Sequence, residues 1–331
     1  MNFHLEFTPK TFSKLVGHEQ AILLIGSCFT ENMGAKLKQH KFNMLENPNG
    51  ILFNPISIAK AISSYLDNKQ YKAADLFYQD ECWNSWEHHS RFSNPDKDAC
   101  LKAINQSLQQ AHAFIKRAQW VMITLGSAYV YTLNNEGNEV VANCHKVPID
   151  KFNKKLLSVA EITNALQAML ENLYRHNPVA KIIFTISPVR HLRDGFVENN
   201  RSKSALVQAV HQLVAQDENR FYFPAFELVI DDLRDYRFYA EDMVHPNYAA
   251  TNYVWEKFVA ACIDEPSQKL MKAINTINAA KNHKPFNPSS GQHKKFLQKY
   301  LEMVNELGKQ FPYINFEEDK SYFQPGEQET K

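Results

Sequence analysis

The stretch 21-AILLIGSCFTENMGAKL-37 decides how the rest of the chain is read. Ala21 to Ile25 form an apolar run that stops at Gly26-Ser27-Cys28 and gives way to an amphipathic helical pattern. A short apolar run ending at a breaker marks a strand buried on both faces, as in a parallel sheet. The segment therefore predicts a strand, a tight turn and a helix, with two small nucleophiles, Ser27 and Cys28, at the turn.

The same pattern returns at 120-WVMITL-125 and 180-AKIIFTI-186, and in shorter form at 220-RFYF-223. Helical periodicity lies between these runs, at 55–66 behind Asn54 as N-cap and at 95–115, 159–174 and 202–215. Strands alternating with helices predict an α/β fold, a three-layer α/β/α sandwich around a central parallel sheet. Residues 129–142 read as a hairpin inserted after the second run, turning at Asn135-Glu136-Gly137. From Pro266 onward two more polar helical patterns, 267–280 and 292–307, are joined by KPFNPSSG and followed by a loose acidic tail. The expected division is residues 1–263 as the α/β domain and 264–331 as an accessory helical segment.

Composition narrows the function. With 37 Lys+Arg against 36 Asp+Glu in 331 residues, the net charge of +1 disfavours a nucleic-acid partner. No apolar stretch has the length of a signal peptide or a bilayer span, so no membrane association and a cytoplasmic location are the default expectations. Five cysteines without a CxxC pair suggest free thiols rather than a disulfide framework. No cofactor is expected, because IGSCFT lacks the repeated glycines of a phosphate-binding loop. His88, His89, Asp242 and His245 match no metal-ligand spacing, so no metal is expected either.

In an open parallel sheet, ligands bind at the carboxyl ends of the strands. Gly26 and Gly126 each follow a predicted strand there. Far downstream, 239-YAEDMVHPNYAATNYVWEKF-258 holds Asp242 three residues before His245, with Pro246 opening a helix. A carboxylate so placed can fix one imidazole nitrogen and leave the other as a base. Alternatively, Asp242 caps the helix and His245 is a surface histidine.

GSCF at 26–29 and DMVHPN at 242–247, with NPNGILFNP (47–55), TLGSAYVY (124–131), NCHKVP (143–148) and SPVRHLRDGFVENNRSK (187–203), make the chain resemble the GSCFA family over residues 15–262. That family is similar to the SGNH, or GDSL-like, hydrolases. The resemblance implies a Cys-His-Asp triad of Cys28, His245 and Asp242, with Ser27 the second choice of nucleophile. A helix N-terminus and a histidine would lower the thiol pKa toward thiolate. A small buried Cys28 beside an N-capping Ser27 is the alternative. The Cys28 amide would be one oxyanion donor and Gly50 a second. In Gly126-Ser127-Ala128, however, Ala128 stands where the superfamily's third donor, an Asn, is expected. Asn143 and His145 could replace it, or serve as ordinary loop residues. Arg190 and His191 could bind a carboxylate or phosphate, or pair with Asp194 or Glu198. The aromatic segment 82-CWNSWEHHSRF-92 suits a sugar ring or the edge of a core. The implied activity is an ester hydrolase or acyltransferase acting through an acyl-enzyme on a small-molecule or carbohydrate ester. The alternative is a non-catalytic relative of the fold that binds a carbohydrate or a protein.

Overall fold

The computed structural model describes residues 5–134 and 139–324. In chain order these hold β1 (Ile22–Gly26), α1 (Cys28–Gln39), β2 (Met44–Glu46), α2 (Pro55–Leu66), β3 (Phe77–Gln79), β4 (Cys82–Asn84), α3 (Lys97–Ile115), β5 (Trp120–Leu125), β6 (Tyr129–Leu133) and β7 (Val140–Val141). Then come β8 (Phe152–Leu156), α4 (Val159–His176), β9 (Lys181–Ile186), α5 (Phe196–Val214), β10 (Arg220–Phe223), α6 (Ala225–Glu227), α7 (Tyr248–Cys262), α8 (Glu265–Lys281), α9 (Gly291–Gln310) and α10 (Glu317–Phe323).

The central sheet has the order β10-β9-β5-β1-β2, and every pairing in it is parallel. Alternate residues of each strand point to opposite faces, which explains why the runs are apolar throughout. Leu23, Ile25, Val121, Ile123, Leu125 and Phe184 join the core shared with α2 to α5. Ile22, Leu24, Trp120, Met122, Ile183 and Phe223 pack on the other side with Phe29 and Leu37 of α1 and Val254 and Phe258 of α7. The expected three-layer α/β/α sandwich is therefore present. Asn54 caps α2 through its side chain, which accepts from Ser57 N–H at 2.8 Å.

Several local features differ from the sequence reading. β2 was not anticipated: its three residues, MLE, are too short for a periodic signal. The hairpin strands β6 and β7 do pair antiparallel, and β8 completes their sheet; the turn itself falls outside the described residues. Pro246 precedes α7 rather than opening it, because Asn247 is the N-cap and accepts from Ala250 N–H at 3.1 Å. The tail is structured in part, since α10 buries Phe323 in a third apolar cluster with Ile274, Ile277 and Val304. Asp319 of α10 is buried between Lys41 and Lys281, at 2.6 and 3.0 Å. The rest of the tail, 325–331, lies outside the described residues. Among those residues, no helix is long and apolar enough to cross a membrane, and all five cysteines are free.

Candidate active site

The turn after β1 is built around a glycine that cannot be replaced without moving backbone. Gly26 has φ 147°, and a Cβ there would lie 2.2 Å from Thr124 O, its neighbour in β5. Its N–H donates to the Asn47 side chain at 2.8 Å, and its carbonyl accepts from Leu52 N–H at 2.9 Å. Ser27 follows as the extended N-cap of α1, yet its hydroxyl makes no capping bond. That Oγ is fully buried without a partner among the described residues. Cys28, one residue on, is partly exposed at the first turn of α1. The one-residue difference separates a fully enclosed serine from a partly exposed cysteine.

The thiol differs electrostatically from the expectation. Burial pushes Cys28 above its ordinary pKa; the N–H groups of Phe29 and of Cys28 itself and the charge of Lys203 pull it down, while Glu31 raises it further. Desolvation thus outweighs the helix terminus in the resting chain.

Asp242 and His245 form the expected pair. Asp242 Oδ2 accepts from His245 Nδ1 at 2.6 Å, and Oδ1 accepts from the N–H groups of Val244 and His245 at 2.9 and 3.0 Å. The His245 N–H, then its ring, then the Val244 N–H hold the carboxyl down at about 2. Asp242 thus bonds the ring, and Asn247 rather than Asp242 caps α7. Both side chains are half-exposed at the rim.

The loop after β9 joins this pair to the sheet. Arg190 N–H donates to Val244 O at 3.2 Å. Neither Arg190 nor His191 pairs with the carboxylates considered for them, since Asp194 is held by Lys154 and Glu198 by Arg201. The Arg190 guanidinium lies over the Tyr239 ring at 4.2 Å. His191 donates its backbone N–H to the Asn199 side chain at 2.9 Å and sets its ring edge-on to Phe53 at 5.4 Å. Its Nε2 is buried without a partner among the described residues. Burial, then Lys203 and His245, push the imidazole down to about 3, so it is neutral at physiological pH.

Lys203 closes the stretch 187–203 that carries the resemblance, where the sequence assigns it no role. It projects from α5, is 1% exposed, and donates from Nζ to Gly126 O and Ser187 O, both at 2.7 Å. Burial lowers it to about 7, and Cys28 opposes that shift. A signal for it existed: the buried face of α5 runs Asn199, Ser202, Lys203, Leu206, Ala209, Val210, Leu213. A lysine inside such a stripe is misplaced for a solvated face.

Four residues considered for the site have other partners. Gly50, at φ 79°, donates its N–H to Asn47 O at 2.7 Å within its own turn. Gly126 N–H is likewise committed, to Phe53 O at 2.8 Å. Neither amide is free as an oxyanion donor; Gly126 instead contributes its carbonyl to Lys203. Asn143 accepts from His145 N–H at 2.9 Å, and the His145 ring bonds Ser85 O at 2.9 Å beside Trp86 and Phe77. These two residues belong to that aromatic cluster, and no hydrogen bond among the described residues joins them to the Cys28 turn. Trp86 itself stacks on Phe77 at 3.6 Å.

The site thus gathers the Cys28 turn, the Gly126 loop, the His191 loop and the Asp242–His245 loop, with Lys203 acting electrostatically on both Cys28 and His191. The thiol and His245 make no hydrogen bond to each other among the described residues.

The model of the GSCFA family matches residues 21–258, and that of the GSCFA domain protein, C-terminal domain, matches residues 274–328. A carbohydrate esterase family 3 structure from Talaromyces cellulolyticus is similar at 10% identity and TM-score 0.36, over 78% of this chain and 99% of that one. A chain from Parabacteroides merdae described as a GDSL-like lipase aligns at 14% identity and TM-score 0.38, over 76% and 98%. An acetyl xylan esterase from the rumen bacterium Butyrivibrio proteoclasticus gives 11% and 0.36, over 82% and 66%. No curated protein matches the sequence.

Proposed function

The chain belongs to the GSCFA family, and from that premise we propose that it is an ester hydrolase or acyltransferase working through an acyl-enzyme on Cys28. The observation that carries this reading is the His245–Asp242 pair at 2.6 Å. With Nδ1 committed to the carboxylate, Nε2 is the nitrogen left to move a proton. The Arg190–Val244 bond ties that pair to the same end of the sheet as Gly26. Cys28 is favoured over Ser27 because the residue is partly exposed and Ser27 is fully enclosed.

In the proposed first step, the Cys28 proton passes to His245 Nε2 and Sγ bonds to the ester carbonyl carbon, whose π pair moves onto oxygen. In this reading the Cys28 amide, at the first turn of α1, receives that oxyanion. Collapse breaks the C–O bond to the alcohol, which leaves with the proton from His245. Water, or a second alcohol in transfer, then gives its proton to His245 and attacks the thioester; the acid or new ester departs and the thiol is restored. Sγ and Nε2 must approach on substrate binding, as catalytic hydrogen bonds often tighten only in the bound complex. An acylated carbohydrate is the substrate class to try first.

The occupied amides of Gly50 and Gly126 favour a second reading, binding without turnover. One experiment separates the two. The wild type and the Cys28→Ala, Ser27→Ala, His245→Ala and Asp242→Asn variants are incubated with p-nitrophenyl acetate and acetylated sugars, with intact mass as readout. A +acetyl species lost in Cys28→Ala supports the enzyme; loss only in Ser27→Ala moves the nucleophile; no adduct and no release in a folded protein leaves the binding reading.

A further inference from the structure

We infer that Lys203 is a positioning residue whose buried ammonium supplies the positive charge facing the Cys28 thiolate and clasps the two loops that frame it. The inference rests on the reading of Cys28 as the acyl carrier, and it starts from geometry. Nζ of Lys203 is tetrahedral; two of its protons go to Gly126 O and Ser187 O, which end adjacent strands of the sheet. The third has no protein acceptor, and the residue pairs with no carboxylate, among the described residues. A lysine at 1% exposure without an anion is costly unless an anion arrives. Register says where one would arise: Gly26 is level with Thr124, two residues before Gly126, and Ser27 N–H bonds Thr124 O at 3.2 Å, so the Cys28 turn stands beside the clasp.

The groups around this pair are few. From the loop after β9 comes neutral His191, and beyond it His245. The Phe226 ring lies 5.8 Å from Nζ. Glu31 of α1 acts on Cys28 with the opposite sign. Cys28 is the acid that favours the charged form of Lys203, and Lys203 favours the thiolate in return. For Cys28 the charge of Lys203 comes after burial, the two N–H groups and Glu31. Such a charge also answers the question raised by Ala128: its N–H goes to Ser202 Oγ at 2.7 Å, and the adjacent Lys203 brings positive charge to the loop in place of an amide.

The test reads thiol chemistry rather than ester turnover, so it can fail separately from the proposed activity. The rate of Cys28 alkylation by iodoacetamide, with iodide leaving, is followed by peptide mass from about pH 6 to 10 in wild type, Lys203→Met and Lys203→Arg. Lys203→Met should shift the profile to higher pH and slow the reaction near neutrality about tenfold or more; Lys203→Arg should recover part of it. A folded Lys203→Met protein with the wild-type profile overturns the inference. Should Lys203→Met not fold, the wild type decides: anionic iodoacetate should react relative to iodoacetamide a few-fold faster at Cys28 in the folded chain than in the urea-unfolded chain, where no ammonium is held nearby. An equal or lower ratio overturns the inference. An active esterase indifferent to Lys203 sinks this inference alone, and an inactive protein that passes sinks only the proposed activity.

Discussion

Asp242 Oδ2 stands 2.6 Å from His245 Nδ1, while Oδ1 of the same carboxylate is filled by two backbone N–H groups of the same loop. The carboxylate is therefore fixed before the imidazole meets it. In Asp242→Asn an amide NH2 facing Nδ1 would turn the ring to the tautomer with its proton on Nε2, the wrong nitrogen for a base. Turnover of an ester substrate should fall about a hundredfold or more, with melting temperature nearly unchanged because the pair is exposed. Steady-state kinetics beside thermal denaturation tests this.

Asn47 holds the Gly26 amide at 2.8 Å from within the interior. Asn47→Ala leaves that buried N–H without its acceptor, at a cost of about 1–3 kcal/mol. A chemical denaturation midpoint should drop accordingly. Cys28 should also lose its uniform labelling rate, because the turn that presents it is no longer pinned.

Glu46 ends β2 with its carboxyl against α1, where a Cβ on Gly34 would meet it at 2.6 Å. Burial first, then Glu31, raise it to about 7. Its folded value thus lies above the unfolded one near 4.5, so the unfolded chain ionises first and stability falls as pH rises from about 4.5 to 7. Glu46→Gln should match wild type at pH 4 and melt higher at pH 8. A melting-temperature difference constant across that range would count against it.

Phe323 of α10 is fully buried among Ile274, Ile277 and Val304. Phe323→Ala should cost about 3–5 kcal/mol locally. Hydrogen exchange would show that loss first in α8 to α10, and only weakly in β1 and β5.

What could be read from the sequence was what repeats or stands at a fixed spacing. The buried strands β1, β5 and β9 declare themselves because both of their faces are covered, and Asp242 and His245 are close enough in the chain to be seen as a pair. Lys203 shows in the sequence only as a lysine inside an apolar helical stripe; what it holds stays hidden, because its partners are carbonyls 77 and 16 residues away and carbonyls carry no sequence signature. The partners of the Gly50 and Gly126 amides are hidden for the same reason: where an amide points depends on what Asn47 O and Phe53 O already accept. The thiol was expected too acidic because helix position is visible in sequence, whereas the depth of its burial is not.

Gly126 is the meeting point of three distant stretches: Phe53 takes its N–H, Lys203 its carbonyl, and His191 lies against its Cα side. Each of these contacts closes a long loop and so belongs late in folding, after helices and neighbouring strands have formed. The centre therefore has no independent existence as a fragment. During refolding from denaturant, helical circular dichroism should return before the folded-state alkylation rate of Cys28, making that thiol a clock for completion of the whole molecule.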